Sequence, residues 1–172
     1  LRCRGLEAES SLSYAGLADL LRPIVDRIDR LPAPQATELR AALALGPPAT
    51  GNRFLVYQAA LGMLDTATDD GPVLVVVDDL QWVDRPSAEA LLFAARRLGS
   101  EGVVALLAVR DDADNQNARG EVDISGLDQL VLTGLSVEAA TDLVLSYARS
   151  PVSPGVARQL ASITRGNPLA LV

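Results

Sequence analysis

Asp78 and Asp79 stand side by side at the end of five apolar residues, Val73 to Val77, in the stretch PVLVVVDDLQWVD (72–84). Two adjacent carboxylates repel, and one takes up a proton unless a cation compensates the pair. Magnesium is a natural compensating ion: it takes hard oxygen ligands, keeps several waters and is often shared with substrate phosphates. Ligands of open α/β sheets sit at the carboxyl ends of the strands, which is where this doublet falls. One Asp after a strand reads equally well as a turn former or a helix cap. A doublet after a continuous apolar strand favours the metal site. A receiver domain also uses an acidic pair, but it needs a third Asp at a later strand end and a Lys. Here the next strand ends in Arg110 and the chain has no Lys, so that alternative is rejected.

The elements that must position the doublet follow from the apolar pattern. Val73 to Val77 is continuous and largely β-branched, which predicts a strand buried on both faces, as in a parallel sheet. A helix is expected at about 86–98, a second strand at 103–109 (VVALLAV), a polar loop at 111–126 and a further strand at 129–135 (QLVLTGL). Upstream, LRCRG (1–5) reads as the tail of a strand. Leu17, Leu20, Leu21, Ile24, Val25, Ile28 and Leu31 follow helical spacing, with Pro23 expected to kink or divide the helix. Pro34 suits the first turn of a second helix ending at GPP (46–48). Asn52 can cap a third helix to about Thr66, with Leu55, Ala59 and Met63 on one face. Ser136 can cap a helix to about Arg149; Ser153 and Pro154 begin another, which Gly166 ends. Helices alternating with buried strands predict an α/β fold with a parallel sheet.

Composition narrows the chemistry. The 172 residues are enough for one domain or slightly more, and 49% are apolar with only 3% aromatic, so the core must be Leu, Val and Ala. A net charge of −7 repels a phosphate backbone, which excludes a DNA-binding domain standing alone. All 15 basic residues are Arg, and there is no His. That removes His as general base or metal ligand and Lys as Schiff base or phosphate ligand. Cys3 is the only cysteine, so no internal disulfide or zinc cluster can form, which fits a reducing cytoplasm. No apolar run approaches the roughly 18 residues that span a bilayer, and no signal peptide is visible, so no membrane partner is expected. The chain begins without Met and ends inside an apolar pattern, so both ends look cut.

The segment PVLVVVDDLQWVDRPSAEALLFAARRL resembles the Walker B segment of signal-transducing P-loop ATPases, the STAND class related to AAA proteins. It is most similar to the ATPase domain of large LuxR-type bacterial transcription regulators. LRCRGLEAESSLSYAGLADLLRPIVDRIDRLP resembles the segment after their Walker A helix, LLAVRDD their sensor strand, LTGLSVEAATDLV the start of their lid, and TRGNPLALV their GxP-type motif. The resemblance implies an incomplete parallel-sheet P-loop NTPase core over 1–133, with Walker B at 73–79, and the start of a helical lid over 134–172. It implies ATP and Mg²⁺ as ligands. Asp78 would hold Mg²⁺ through water, Asp79 would orient or deprotonate the attacking water, and Arg110 would sense the γ-phosphate. Pro168 would lie against adenine, with Gly166 and Asn167 shaping its turn. Each residue also has a local reading. Arg110 can pair with Asp111 or Asp112, Gly166 to Pro168 can be a helix stop and start, and Asp84 can cap the helix near Pro86. Trp82 can pack at the site margin, and Arg96 and Arg97 can lie on a solvated helix face.

One departure from the family outweighs the rest. Its phosphate loop, GxxxxGK[ST], needs a lysine that this chain lacks. GPPATGNR (46–53) has no Lys and follows no strand, so it reads as a linker. By resemblance the true loop lies upstream of Leu1, together with a first strand interior to the sheet. The expected function is therefore a switch ATPase domain of a LuxR-type regulator, with little ATPase activity and weak or absent ATP binding by this chain alone. Expected partners are ATP/ADP and self-association through an exposed sheet, with DNA reached only through a separate helix-turn-helix domain. The alternative is a degenerate, non-hydrolysing interaction scaffold. A Mg-dependent phosphatase built on this Asp pair is set aside because Asp78 and Asp79 are adjacent rather than in a DxD nucleophile pattern, and the chain has no Lys.

Overall fold

The computed structural model describes residues 1–99, 102–110, 123–148 and 150–171, and the chain divides into two units, Leu1–Leu127 and Asp128–Val172. The fold is mixed α/β. In the first unit three parallel strands, β1 (Arg2–Arg4), β2 (Val73–Asp78) and β3 (Val103–Leu107), form one sheet with β2 in the centre. The register sets Arg4 beside Asp78 and Val77 beside Leu107, so the carboxyl ends of all three strands meet. Parallel neighbours need crossovers. The first contains α1 (Ala15–Leu21), a 3₁₀ helix (Arg22–Arg30), α2 (Ala33–Ala42) and α3 (Arg53–Ala67); the second contains α4 (Arg85–Ala95).

Local signals place these elements. Pro23 lacks an N–H, and α1 gives way to the 3₁₀ helix at Arg22, with Ile24 outside helical geometry. Pro34 lies in the first turn of α2. The Asn52 side chain accepts from the N–H groups of Phe54 and Leu55 and caps α3. The buried face of α3 is Val56, Ala59, Ala60, Met63, Leu64 and Ala67, mostly small residues that let it pack closely on α2 and α4. The 46–53 linker wraps the buried carboxylate of Glu38. The Thr50 hydroxyl and the N–H groups of Thr50 (3.0 Å) and Gly51 (3.1 Å) donate to it. These bonds, the hydroxyl foremost, hold the Glu38 carboxyl below its usual range. The loop's N–H groups thus serve an internal anion.

Two expectations are corrected. The apolar run of β2 predicts burial on both faces, but only Val75 and Val77 are buried, and they join Cys3, Leu17, Met63 and Leu80 in the core. Leu74, Val104 and Leu106 are 49%, 58% and 57% exposed, so one face of the sheet is uncovered among the described residues. An apolar strand states what can be buried, while the helices present decide which face is. Residues 129–135, expected as a strand, carry no regular structure, and Leu130 is 87% exposed. A strand exists only where a neighbour completes its ladder.

The second unit contains α5 (Val137–Tyr147), α6 (Pro154–Ile163) and α7 (Pro168–Leu171). Ser136 caps α5 through the Ala139 N–H, and Ser153 caps α6 through the Val156 N–H, as the spacing predicts. The expected end of α5 at Arg149 lies outside the described residues. Ala140, Val144, Ala157 and Ala161 make the buried α5–α6 contact. Gly134 and Gly166 interlock: a Cβ on either would stand 2.1 Å from a backbone oxygen of the opposing segment. Among the described residues no helix is long and apolar enough to cross a membrane.

Asp84 joins the two halves of the first unit. It caps α4 through the Ser87 N–H (3.0 Å) and also accepts from Tyr14 N–H (2.7 Å) and Gly16 N–H (3.0 Å) at the start of α1. The buried Ser87 hydroxyl oxygen accepts from the Leu17 N–H at 2.8 Å. Removing a buried acceptor leaves its donors unpaired. Asp84→Ala should therefore lower stability by about 2–4 kcal/mol, with Asp84→Asn milder. Urea unfolding checks this; a loss for Asp84→Ala below about 0.5 kcal/mol, the size of an ordinary surface change, contradicts it.

Candidate functional site

The site begins where β2 ends. Asp78 is still in the strand, and Asp79 turns into the left-handed region (φ 52, ψ 49), which Asp tolerates better than most residues. A 3₁₀ turn (Leu80–Trp82) then leads to Asp84. The turn is anchored from below and from both sides. Leu80 is fully buried, and its N–H donates to Ala108 O (2.9 Å), while Ala108 N–H donates to Val77 O (2.8 Å). On the other side Gly5 N–H donates to Asp78 O at 2.9 Å. A Cβ on Gly5 would lie 2.3 Å from Asp79 O and 2.7 Å from Val83 N, so only glycine lets β1 approach this closely.

The side chains answer what compensates the doublet. Asp79 Oδ2 accepts from Arg4 Nε (3.2 Å) and Nη2 (3.0 Å). Its Oδ1 accepts from Gln81 Nε2 (3.0 Å) and lies 3.3 Å from Arg110 Nε. Gln81 Oε1 in turn accepts from the Arg110 N–H (3.2 Å). The bonds from Arg4 are the largest influence on Asp79 and hold its carboxyl below the usual range. Burial pushes the other way, and Gln81 and Arg110 add to the lowering. Asp79 therefore stays ionised beside Asp78, whose Oδ1 accepts the Asp79 N–H at 3.1 Å. Arg4, Asp78, Asp79, Ala108, Val109 and Arg110 line a cavity of about 320 Å³. Its two guanidiniums and two carboxylates balance in charge.

The donor set bears on a metal. Among the described residues no group of three ligating side chains gathers, and Asp78 has no cation partner. One free carboxylate beside a polar cavity fits Mg²⁺, which is commonly bound by one or two carboxylates with the rest of its shell supplied by water and phosphate. It does not fit an ion that needs an all-protein cage.

Of the residues singled out by sequence, Asp78, Asp79 and Arg110 share this cavity. Asp111 and Asp112, the local partners weighed for Arg110, lie outside the described residues. Asp84 is the N-cap it was expected to be, and Trp82 is half-buried in the turn. Gly166, Asn167 and Pro168 belong to the second unit. There Gly166 (φ +70) ends α6, and Asn167 Oδ1 accepts from the Leu169 N–H (3.0 Å) to start α7, with Pro168 exposed. Arg96 and Arg97 are exposed, on the solvated face expected of them, and each also has a partner there. Arg96 donates to Ser125 O (3.0 Å) and pairs with Asp123 (3.4 Å), and Arg97 stacks 3.6 Å over the Phe93 ring. Arg4 and Gln81 were missed. For Arg4 the signal was available: a parallel partner strand ending in LRCRG brings a guanidinium beside the doublet. Comparison with protein-family models, curated proteins and solved structures finds no match to this chain.

A carboxyl held below its ordinary value contributes stability that is present above the unfolded-state value, about pH 4, and is lost as pH falls through the folded-state value. Wild-type protein should thus be more stable than Asp79→Asn near neutral pH, with the gap closing below about pH 4. Urea midpoints across that range check this; a gap that does not change with pH contradicts it.

Proposed function

We propose that the first unit is the acidic half of a nucleotide-dependent switch, an ATP-binding domain of P-loop NTPase type similar to the STAND domains of large LuxR-type transcription regulators. One observation carries this reading: Asp78 and Asp79 close the central strand of a parallel sheet, and Arg110, just past the neighbouring strand, faces them across one cavity. Magnesium, when bound, neutralises phosphate charge. Asp78 would hold that ion through its water shell. Asp79 accepts a proton from the water whose oxygen attacks the terminal phosphorus, as the bond to the bridging oxygen breaks. Arg110 meets the charge on the phosphate oxygens. In the same reading Gly166, Asn167 and Pro168 shape the turn against adenine, and nucleotide occupancy biases self-association and transcription in the cytoplasm. DNA contact belongs to a separate helix-turn-helix module.

The chain has no lysine, so the phosphate cradle has to come from other residues of the protein. Positioning and charge neutralisation make up nearly all of phosphoryl-transfer catalysis, and these 172 residues alone should bind MgATP weakly or not at all. A non-hydrolysing interaction scaffold is the second reading, favoured by the uncovered apolar sheet face at Leu74, Val104 and Leu106. An intact GxxxxGK[ST] upstream of Leu1 supports the switch, and its absence supports the scaffold.

The test uses the polypeptide that carries those upstream residues. Asp79→Asn should keep nucleotide binding and slow hydrolysis about 100-fold or more. Asp78→Ala should weaken Mg²⁺-dependent binding about tenfold or more. Calorimetry and phosphate release read both; unchanged binding and turnover in the two variants contradict the assignment, as does tight MgATP binding by the chain without those residues.

A further inference from the structure

We propose that the cavity between α3 and the end of α4 is a second ligand site, and that it takes a small aromatic monocarboxylate whose anionic end meets Arg97. The inference goes beyond the nucleotide reading and does not depend on it.

The cavity measures about 510 Å³, inside the roughly 300–1,000 Å³ of small-molecule sites. Val103, the first residue of β3, is in its lining, whereas Asp78 and Arg110 stand at the carboxyl ends of the strands. The two cavities therefore lie at opposite ends of the sheet. One wall comes from α3, where Phe54, Gln58, Leu61 and Asp65 recur every three or four residues and so form a row along one helix face. The facing wall is Phe93 near the end of α4, with Arg97 and Leu98 just past it.

The aromatic end follows from where the rings are. Phe54 and Phe93 are the only phenylalanines in the chain, and both line this cavity. Their rings meet edge to face with centroids 5.8 Å apart. Phe54 is nevertheless 53% exposed. With Leu61 and Leu98 it presents an uncovered apolar surface on which a planar ring can pack.

The anionic end follows from Arg97. Among the described residues nine arginines pair with carboxylates, and Arg97 is not one of them. It is held in place by other means: its guanidinium lies 3.6 Å over the Phe93 ring, and its Nη1 donates to Phe93 O at 3.0 Å. Most of its five N–H donors are left for a ligand, in the fork that matches a carboxylate. In a chain of net charge −7, an arginine fixed by a ring instead of an acid is a cation kept available. Gln58, on the opposite wall, has no hydrogen-bond partner among the described residues and can donate its amide N–H to the same carboxylate. Arg97 is the one cation among the described lining residues, and Asp65 opposes further negative charge. A single carboxylate fits that balance better than a dianionic phosphate.

The experiment titrates this chain with 3-phenylpropionate and follows its backbone amide signals by NMR. Two matched probes accompany it: 3-phenylpropionamide, which lacks the charge, and butyrate, which lacks the ring. The aromatic acid should bind with a dissociation constant of roughly 1 mM, as suits so small a ligand, and shift the signals of Phe54, Leu61 and Leu98. The amide and butyrate should each bind about fivefold more weakly. Arg97→Gln should abolish the advantage of the acid over the amide, Arg97→Lys should keep part of it, and Asp65→Asn should strengthen acid binding about twofold. Unchanged signals elsewhere in the spectrum of each variant show the fold intact. The proposal is overturned by the absence of shifts at the cavity at about 10 mM acid, or by equal binding of acid and amide to the wild type. An advantage that survives Arg97→Gln, or shifts centred on Arg4 and Arg110 instead, overturns it as well.

Discussion

Everything at the site depends on one carboxylate with a cation on either side. Asp79 follows β2, Arg4 ends β1 and Arg110 lies just past β3, so the ion triad ties together the carboxyl ends of all three strands. Each contact alone is worth little, because both arginine side chains are mostly in water. Their convergence is what matters. It holds the Asp79 carboxyl below its usual range at the turn where that side chain lines the cavity. At the other described doublet the arrangement differs: Asp69 and Asp70 each pair with an arginine of their own, Arg30 and Arg27.

Beneath the ions lies a rigid frame of uncharged contacts and one buried carboxylate. Leu80 plugs the core under the turn, Gly5 lets the β1 backbone touch it, and Asp84 closes it by gathering N–H groups from α4 and from the start of α1. Tyr14, at φ +64, takes a left-handed conformation whose N–H meets the Asp84 carboxylate. The turn after β2 and the segment after β1 are therefore one mechanical unit.

Features carried by neighbouring residues were legible in the sequence. The division at Pro23, the caps at Asn52, Ser136 and Ser153, the second role of Asp84 as an N-cap and the strand leading into the doublet all follow from residue type and short spacing. Features that depend on distant pairing were not. Arg4 meets Asp79 across 75 positions, and only the parallel register brings them together. The continuous apolar run of β2 could not say that helices would cover only one of its faces. Likewise QLVLTGL has the composition of a strand, but composition supplies no ladder partner, and the segment stays irregular. The sequence predicted a cation for the doublet and named magnesium; the structure supplies two guanidiniums for Asp79 and leaves Asp78 the carboxylate free to meet a metal.

That division of labour can be read directly by titrating the protein with Mn²⁺ and following paramagnetic broadening of its amide signals. If the doublet exists to handle a divalent ion, broadening centres on Asp78 to Gln81, is reversed by excess Mg²⁺ and disappears in Asp78→Ala. Broadening confined to the other acidic doublet at Asp69 and Asp70, with the Asp78 to Gln81 signals unaffected, would contradict a metal role for the strand end and with it the nucleotide reading.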